Sequence, residues 1–93
     1  TTTRMIRLEG KLFIGNRPID CQVVKVDSPA DGFHKEITRA LVELCATLKI
    51  PVPVWQRNNT AQFARFRMTF FSAEQFLEPV LFERFQIKAL QIA

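Results

Sequence analysis

The sequence predicts an α+β fold: a small antiparallel-rich sheet, made of an N-terminal β-hairpin plus the C-terminal strand, with one main helix packed on one face and one or two short helices. Three observations predict it. Apolar and polar residues alternate with the two-residue period of a half-buried strand near both ends of the chain. A Gly-Asn-Arg-Pro turn separates two strand-like runs near the N-terminus. After the second run, apolar residues recur at helical spacing through SPADGFHKEITRALVELCATLK. Neither a hairpin nor an amphipathic helix can bury its apolar face alone, so the two must lie on each other.

Residues 5–14, MIRLEGKLFI, set Ile6, Leu8, Leu12 and Ile14 on one face and Arg7, Glu9 and Lys11 on the other. Gly10 leaves a gap on the apolar side and is a candidate bulge. Gly15 and Asn16 suit positive backbone angles, and after Pro18 a second strand runs over residues 19–26. The main helix is expected over residues 29–49, with Ser28 capping the first amides and Pro29 at the first helical position. Asp31 is the rival cap, with Gly32 then marking the boundary. Phe33, Ile37, Leu41, Leu44 and Leu48 form the core stripe of this helix. Lys35, Glu36, Arg39 and Glu43 face water, where Glu36 with Arg39 and Arg39 with Glu43 can pair.

Pro51 and Pro53 hold Ile50 and Val52 extended, so IPVPVW is a stiff connector that carries Trp55. In RNNTAQFARF, Asn59 or Thr60 can cap a short helix over residues 60–67, and Gln62 three residues after Asn59 resembles a capping box. That helix sets Phe63, Phe66 and Phe70 near one face. Read as a strand, RMTFF instead alternates Met68 and Phe70 against Arg67, Thr69 and Phe71. Ser72 with Gln75 is a further cap signature, opening a turn or two that Pro79 ends. Residues 80–92 return to alternation, with Phe85, Ile87 and Ala89 opposed to Gln86 and Lys88. A sheet covered on one side would leave Val24, Val26, Leu90 and Ile92 exposed. With no repeat or linker, residues 1–93 are expected to form a single domain.

Composition excludes several classes of protein. Apolar residues make up 47% of the chain, enough for a core, so disorder is not expected. No run of about 18 apolar residues and no apolar N-terminal stretch with a cleavage signature occurs, so neither a membrane span nor a secretory signal is read. The expected compartment is the cytoplasm. Cys21 and Cys45 are too few for a disulfide framework and are expected reduced and structural. Three unclustered glycines rule out a phosphate-cradling loop, and His34 lacks a second metal-ligating partner. Cys21 and His34 make a nucleophile and base only if the fold brings them within hydrogen-bond reach. No catalytic, metal or cofactor-binding residue is therefore assigned; no cofactor or small-molecule substrate is read, and the chain is expected not to be an enzyme.

Charge is the remaining clue. The formal net charge is +4, and residues 44–73 hold Lys49, Arg57, Arg65 and Arg67 with no acid. A second basic group, Arg4, Arg7, Lys11 and Arg17, is offset only by Glu9. Within the acid-free window, QFARFRMTFF threads two arginines among four phenylalanines. That is the composition of a stacking surface for single-stranded nucleic acid, and equally of a core whose arginines snorkel outward. Nine phenylalanines with no tyrosine favour the core, because tyrosine serves surfaces where one ring end stays wet. Trp55 is either an anchor for a partner or a lid on the core with its indole N–H bonded to a carbonyl.

The segment PVPVWQRNNTAQFARFRMTFFSAEQFLEPVLFERFQI resembles a group of small uncharacterised bacterial proteins. In that group a helix ending in a cysteine-bearing turn leads to a PxW-type connector, an Asn-containing turn, spaced phenylalanines and a closing strand. The resemblance covers the chain from about Phe33 onward and implies a compact α+β domain. The group has no assigned activity, so no functional residue carries over.

The expectation is a non-enzymatic module that binds itself, as a homodimer, or another protein, with Trp55, Arg57, Arg65 and Arg67 as candidate partner contacts. The alternative is a weak, salt-sensitive nucleic-acid-binding domain using the window 44–73. It requires Arg57, Arg65 and Arg67 to converge with Arg7 and Lys11 on one surface.

Overall fold

Two long strands joined by a two-residue turn set the shape. At about 3.3 Å per residue, a strand of 13 residues spans the long dimension of the molecule, which measures 42 × 24 × 22 Å. The computed structural model describes residues 3–29 and 32–92. Strands β1 (Thr3–Ile14) and β2 (Arg17–Pro29) form the hairpin, followed by α1 (Phe33–Leu48), α2 (Arg57–Phe66), β3 (Met68–Ser72), a 3-10 turn (Ala73–Gln75) and β4 (Arg84–Ile92). The strands make one antiparallel sheet in the order β2-β1-β4-β3. The α+β architecture is as expected, with β3 as a fourth strand on the edge.

The hairpin turns at Gly15, whose φ of 61° needs a residue without Cβ strain. Asn16 stays out of the left-handed region, contrary to expectation. A single positive angle at the first central position is the pattern of a type II′ turn.

Gly10 does not mark a bulge. The irregularities fall between Leu12 and Phe13 against β2, and between Arg7 and Leu8 against β4. A Cβ at Gly10 would lie 2.7 Å from Leu44 Cδ2 and 2.9 Å from Phe85 Cε1. This is where α1 presses onto the centre of the sheet, so glycine is needed for close approach.

Helix α1 starts later than expected. Gly32 has φ 124°, outside helical backbone, and the helix begins at the next residue. Pro29 ends β2, and Ser28 is buried there, accepting a hydrogen bond of 2.7 Å from Arg39 Nη1 instead of capping the helix. The rival cap Asp31 lies outside the described residues. Ile37, Leu41, Leu44 and Leu48 are buried as the stripe requires, while Phe33 stays partly exposed. Glu36 is the main correction on this helix. It shares the i, i+4 row of Ala40 and Leu44, is 1% exposed, and its Oε1 lies 3.4 Å from Arg4 Nε on β1. Val24 and Val26 face α1 and pack on the core rather than standing exposed; Leu90 is exposed and Ile92 packs at the core margin.

Helix α2 also differs at its start. Gln56 is the N-cap and Asn59 the third helical residue, so the chain enters the helix three residues before the expected cap. Asn59 Oδ1 accepts the Gln56 N–H at 2.9 Å, the return half of a capping box. Arg67, at φ 57°, ends the helix in the left-handed conformation and turns the chain directly into β3. The Ser72–Gln75 signature holds, with Gln75 Oε1 accepting the Ser72 N–H at 3.1 Å. Strand β4 begins at Arg84, so residues 80–83 precede it.

Candidate interaction surfaces

The phenylalanines of QFARFRMTFF divide between inside and outside. Phe63 on α2 and Phe71 on β3 are fully buried, whereas Phe66 is 61% exposed and Phe70 is half-buried. The expected inward set of Phe63, Phe66 and Phe70 is therefore wrong in two of its three members. The helix ends at Phe66, and strand alternation takes over: Thr69 and Phe71 pair with Ile87 and Phe85 on the core side, while Met68 and Phe70 pair with Lys88 and Gln86 on the far side. Gln62, Phe66, Met68 and Phe70 line a small apolar hollow of about 270 Å³ around the edge of β3.

Trp55 is a lid on the core. Its ring lies 5.6 Å from Phe71 and 6.0 Å from Phe63, and its indole N–H donates to Thr60 Oγ1 at 2.7 Å, a hydroxyl rather than a carbonyl. Asn59 organises the polar residues behind it. Its Nδ2 donates to Thr69 Oγ1 and to the Phe70 carbonyl, and its Oδ1 accepts from Gln56 N and Gln75 Nε2. Thr69 in turn donates to Gln62 Oε1, and Gln75 Nε2 also reaches the Val54 carbonyl. The connector, α2 and the 3-10 turn are thus locked to one edge of the sheet.

The basic residues named from the sequence fall on two sides. Arg67 lies over the Phe33 ring, 5.4 Å from its centroid, on the side of the sheet that carries α1. Arg57 and Arg65 are exposed on α2, Arg65 lying 5.3 Å from the centroid of Phe66. Arg7 and Lys11 alternate with the buried Ile6, Leu8 and Leu12, so they point away from α1 onto the uncovered face. The five cations that the window 44–73 requires do not converge. The uncovered face instead joins Arg7 and Lys11 to Lys25, Arg84 and Lys88, which sequence reasoning did not group. The alternation within each strand carries the signal for these residues, and only the strand register brings them together.

An apolar surface occupies the end of the molecule where the hairpin turns. A groove of about 290 Å³ is lined by Leu12, Ile19, Ile50, Pro51, Val80 and Leu81, among others, with Lys49 as its one charged wall. Leu81 is 96% exposed, and Leu77 in the same loop is 89% exposed. No periodicity in residues 76–83 announces this, because the loop has none.

The nucleophilic and titratable groups stay apart. Cys21 is exposed on β2 opposite Lys11, on the uncovered face. His34 stacks edge-on to Trp55, 6.0 Å away, on the helix side. Cys45 is buried in the core, where desolvation pushes its thiol up to about 12 and keeps it protonated. Among the described residues no group of three His, Cys, Asp or Glu side chains could hold a metal ion, and no helix is long and apolar enough to cross a membrane. The class defined by these features is a small α+β fold with a half-covered sheet. No family model, curated protein or solved structure matches the chain.

Proposed function

We propose that the chain is a non-enzymatic, cytoplasmic interaction module that docks on a protein surface, a second copy of itself or another chain, through the apolar end around Leu81. The observation that carries this reading is Leu81, displayed almost entirely to solvent on the wall of an apolar groove, with a second leucine, Leu77, almost as exposed in the same loop. Burying one leucine side chain is worth about 1.5–3 kcal/mol, so leaving two in water favours a partner that covers them. Trp55, half-buried and hydrogen-bonded to Thr60, packs on Phe63 and Phe71 away from this groove.

The test is sedimentation velocity over a range of concentrations, with the wild type compared to the double variant Leu77→Ser/Leu81→Ser. A wild-type dimer that the variant loses, at unchanged circular dichroism, supports self-association through this end. A monomeric wild type whose cross-linked protein partners disappear in the variant supports a different protein partner. Identical sedimentation and identical cross-links in both proteins reject the reading.

A further inference from the structure

The uncovered face of the sheet carries a charge pattern that folding does not explain. Five cations, Arg7, Lys11, Lys25, Arg84 and Lys88, share it with two carboxylates, Glu9 and Asp27, an excess of three positive charges out of the net +4 of the chain. Arg7 stands directly opposite Lys25 across β1 and β2. Like charges directly opposite destabilise a sheet, and an anion between them relieves the repulsion. Glu9 lies 3.8 Å from Lys11, the single ion pair on this face among the described residues.

Arg84 is the second, independent observation. Its guanidinium lies 4.7 Å from the ring centroid of Phe13 and 5.0 Å from that of Phe70, so a ring–cation–ring stack crosses β1, β4 and β3. Its Nε is buried with no hydrogen-bond acceptor, and no carboxylate pairs with it among the described residues. The ring faces hold the cation in place, and its charge is left for something outside the fold.

We propose that this face binds single-stranded nucleic acid, with Arg7, Lys11, Lys25 and Lys88 contacting phosphates and the Phe13–Arg84–Phe70 stack receiving a base. A second copy of the chain does not fit, because it would set one positive face against another. A duplex does not fit either. Four strands at about 4.8 Å spacing, backed by helices, are too broad for a major groove about 12 Å wide. Unstacked bases, by contrast, lie flat on half-buried rings while cations follow the backbone. The Arg67 side of the molecule takes no part.

The test is fluorescence anisotropy of a labelled 12-nucleotide oligo(dT), and the same length of oligo(U), titrated with the protein between 50 and 300 mM salt. The wild type is expected to bind at low salt, with a slope of log K on log[salt] of about −0.7 for each phosphate contacted. Lys25→Gln/Lys88→Gln reduces that slope by about 1.4, and Phe70→Leu weakens binding at least about fivefold with the slope unchanged. Arg57→Gln/Arg67→Gln and Leu77→Ser/Leu81→Ser leave binding as it was, the latter separating this site from the apolar end. No binding of either oligonucleotide at 50 mM salt overturns the proposal. So does an equal loss on changing Arg57 and Arg67, or binding to anionic phosphatidylserine vesicles without binding to either oligonucleotide.

Discussion

Asn59 shows how much one side chain can hold in this molecule. It donates two hydrogen bonds, at 2.8 and 2.9 Å, and accepts two, at 2.9 and 3.0 Å, so all of its capacity is used while it is fully buried. Asn59→Ala removes the partners of the Phe70 carbonyl on the edge of β3 and of the Gln56 N–H, and leaves the Gln75 amide only the Val54 carbonyl; each group left unpaired out of water costs about 1–3 kcal/mol. A loss of about 3 kcal/mol in urea-induced unfolding is expected; a loss below about 1 kcal/mol would mean that water replaces the side chain. Cys45 gives a prediction of a different kind. Burial raises its thiol from an ordinary 9.0 to about 12, so above pH 9 the unfolded chain releases a proton that the folded chain keeps. The stability from this residue is complete below pH 9 and is lost at about 1.4 kcal/mol per pH unit above it, until the folded thiol itself titrates. Denaturation at pH 8 and pH 10 should show this extra loss in the wild type and not in Cys45→Ala, and a thiol reagent should label Cys21 fast and Cys45 only on unfolding.

At the scale of elements, the contact between α1 and the sheet is set by what Gly10 lacks. The helix can sit low over the centre because β1 has no Cβ there, and Leu44 fills the space. Gly10→Ala forces Leu44 and Phe85 aside in a packed core, an overpacking that costs about 1–3 kcal/mol. Leu44→Ala alone opens a cavity and costs about 2–5 kcal/mol. In the double variant the new methyl enters that cavity, so the two losses should sum to more than the measured total. A simply additive cycle would place the strain elsewhere. The sheet edges are handled differently from each other. Asn59 covers the carbonyl of Phe70 on β3, whereas the long edge of β2 is guarded by Pro18, Lys25 and Asp27, residues that discourage a further strand from pairing.

Across the whole molecule, two surfaces of opposite character lie apart from each other: the apolar end around Leu81 and the positive uncovered face. The second one costs stability in the free protein. Removing one of two facing cations, as in Lys25→Gln, should raise stability by a few tenths of a kcal/mol at low salt, and the gain should fade as the Debye length falls to about 3 Å near 1 M. A variant that is less stable at low salt would show that Lys25 is held by carboxylates instead. The pair of buried Glu36 and half-exposed Arg4 ties the start of β1 to the first turn of α1, and Ser28 with Arg39 ties the end of β2 to the same helix. These two polar contacts stand at the opposite end of the hairpin from the apolar groove.

Local chemistry was enough for much of this fold. The two-residue alternation in β1 and β4, the stripe from Ile37 to Leu48, the turn at Gly15 and the cap at Ser72 depend on neighbours a few residues away, and each is found in the structure, although Ile14 at the end of β1 is exposed rather than inward and β4 begins only at Arg84. The errors arose where neighbours are far apart in the chain. Phe71 rather than Phe66 enters the core because β3 pairs with β4 some 16 residues on. Glu36 is buried because Arg4, 32 positions earlier, reaches it, and Gly10 needs to be glycine because Leu44 crosses above it. The sequence by itself therefore determined the types of element, most of their inward faces and the overall excess of positive charge. The tertiary structure alone decided which charges share a face, since strand register sets Arg7 opposite Lys25 and brings Lys88 onto the same face opposite Glu9, a long-range pairing that local propensity does not encode.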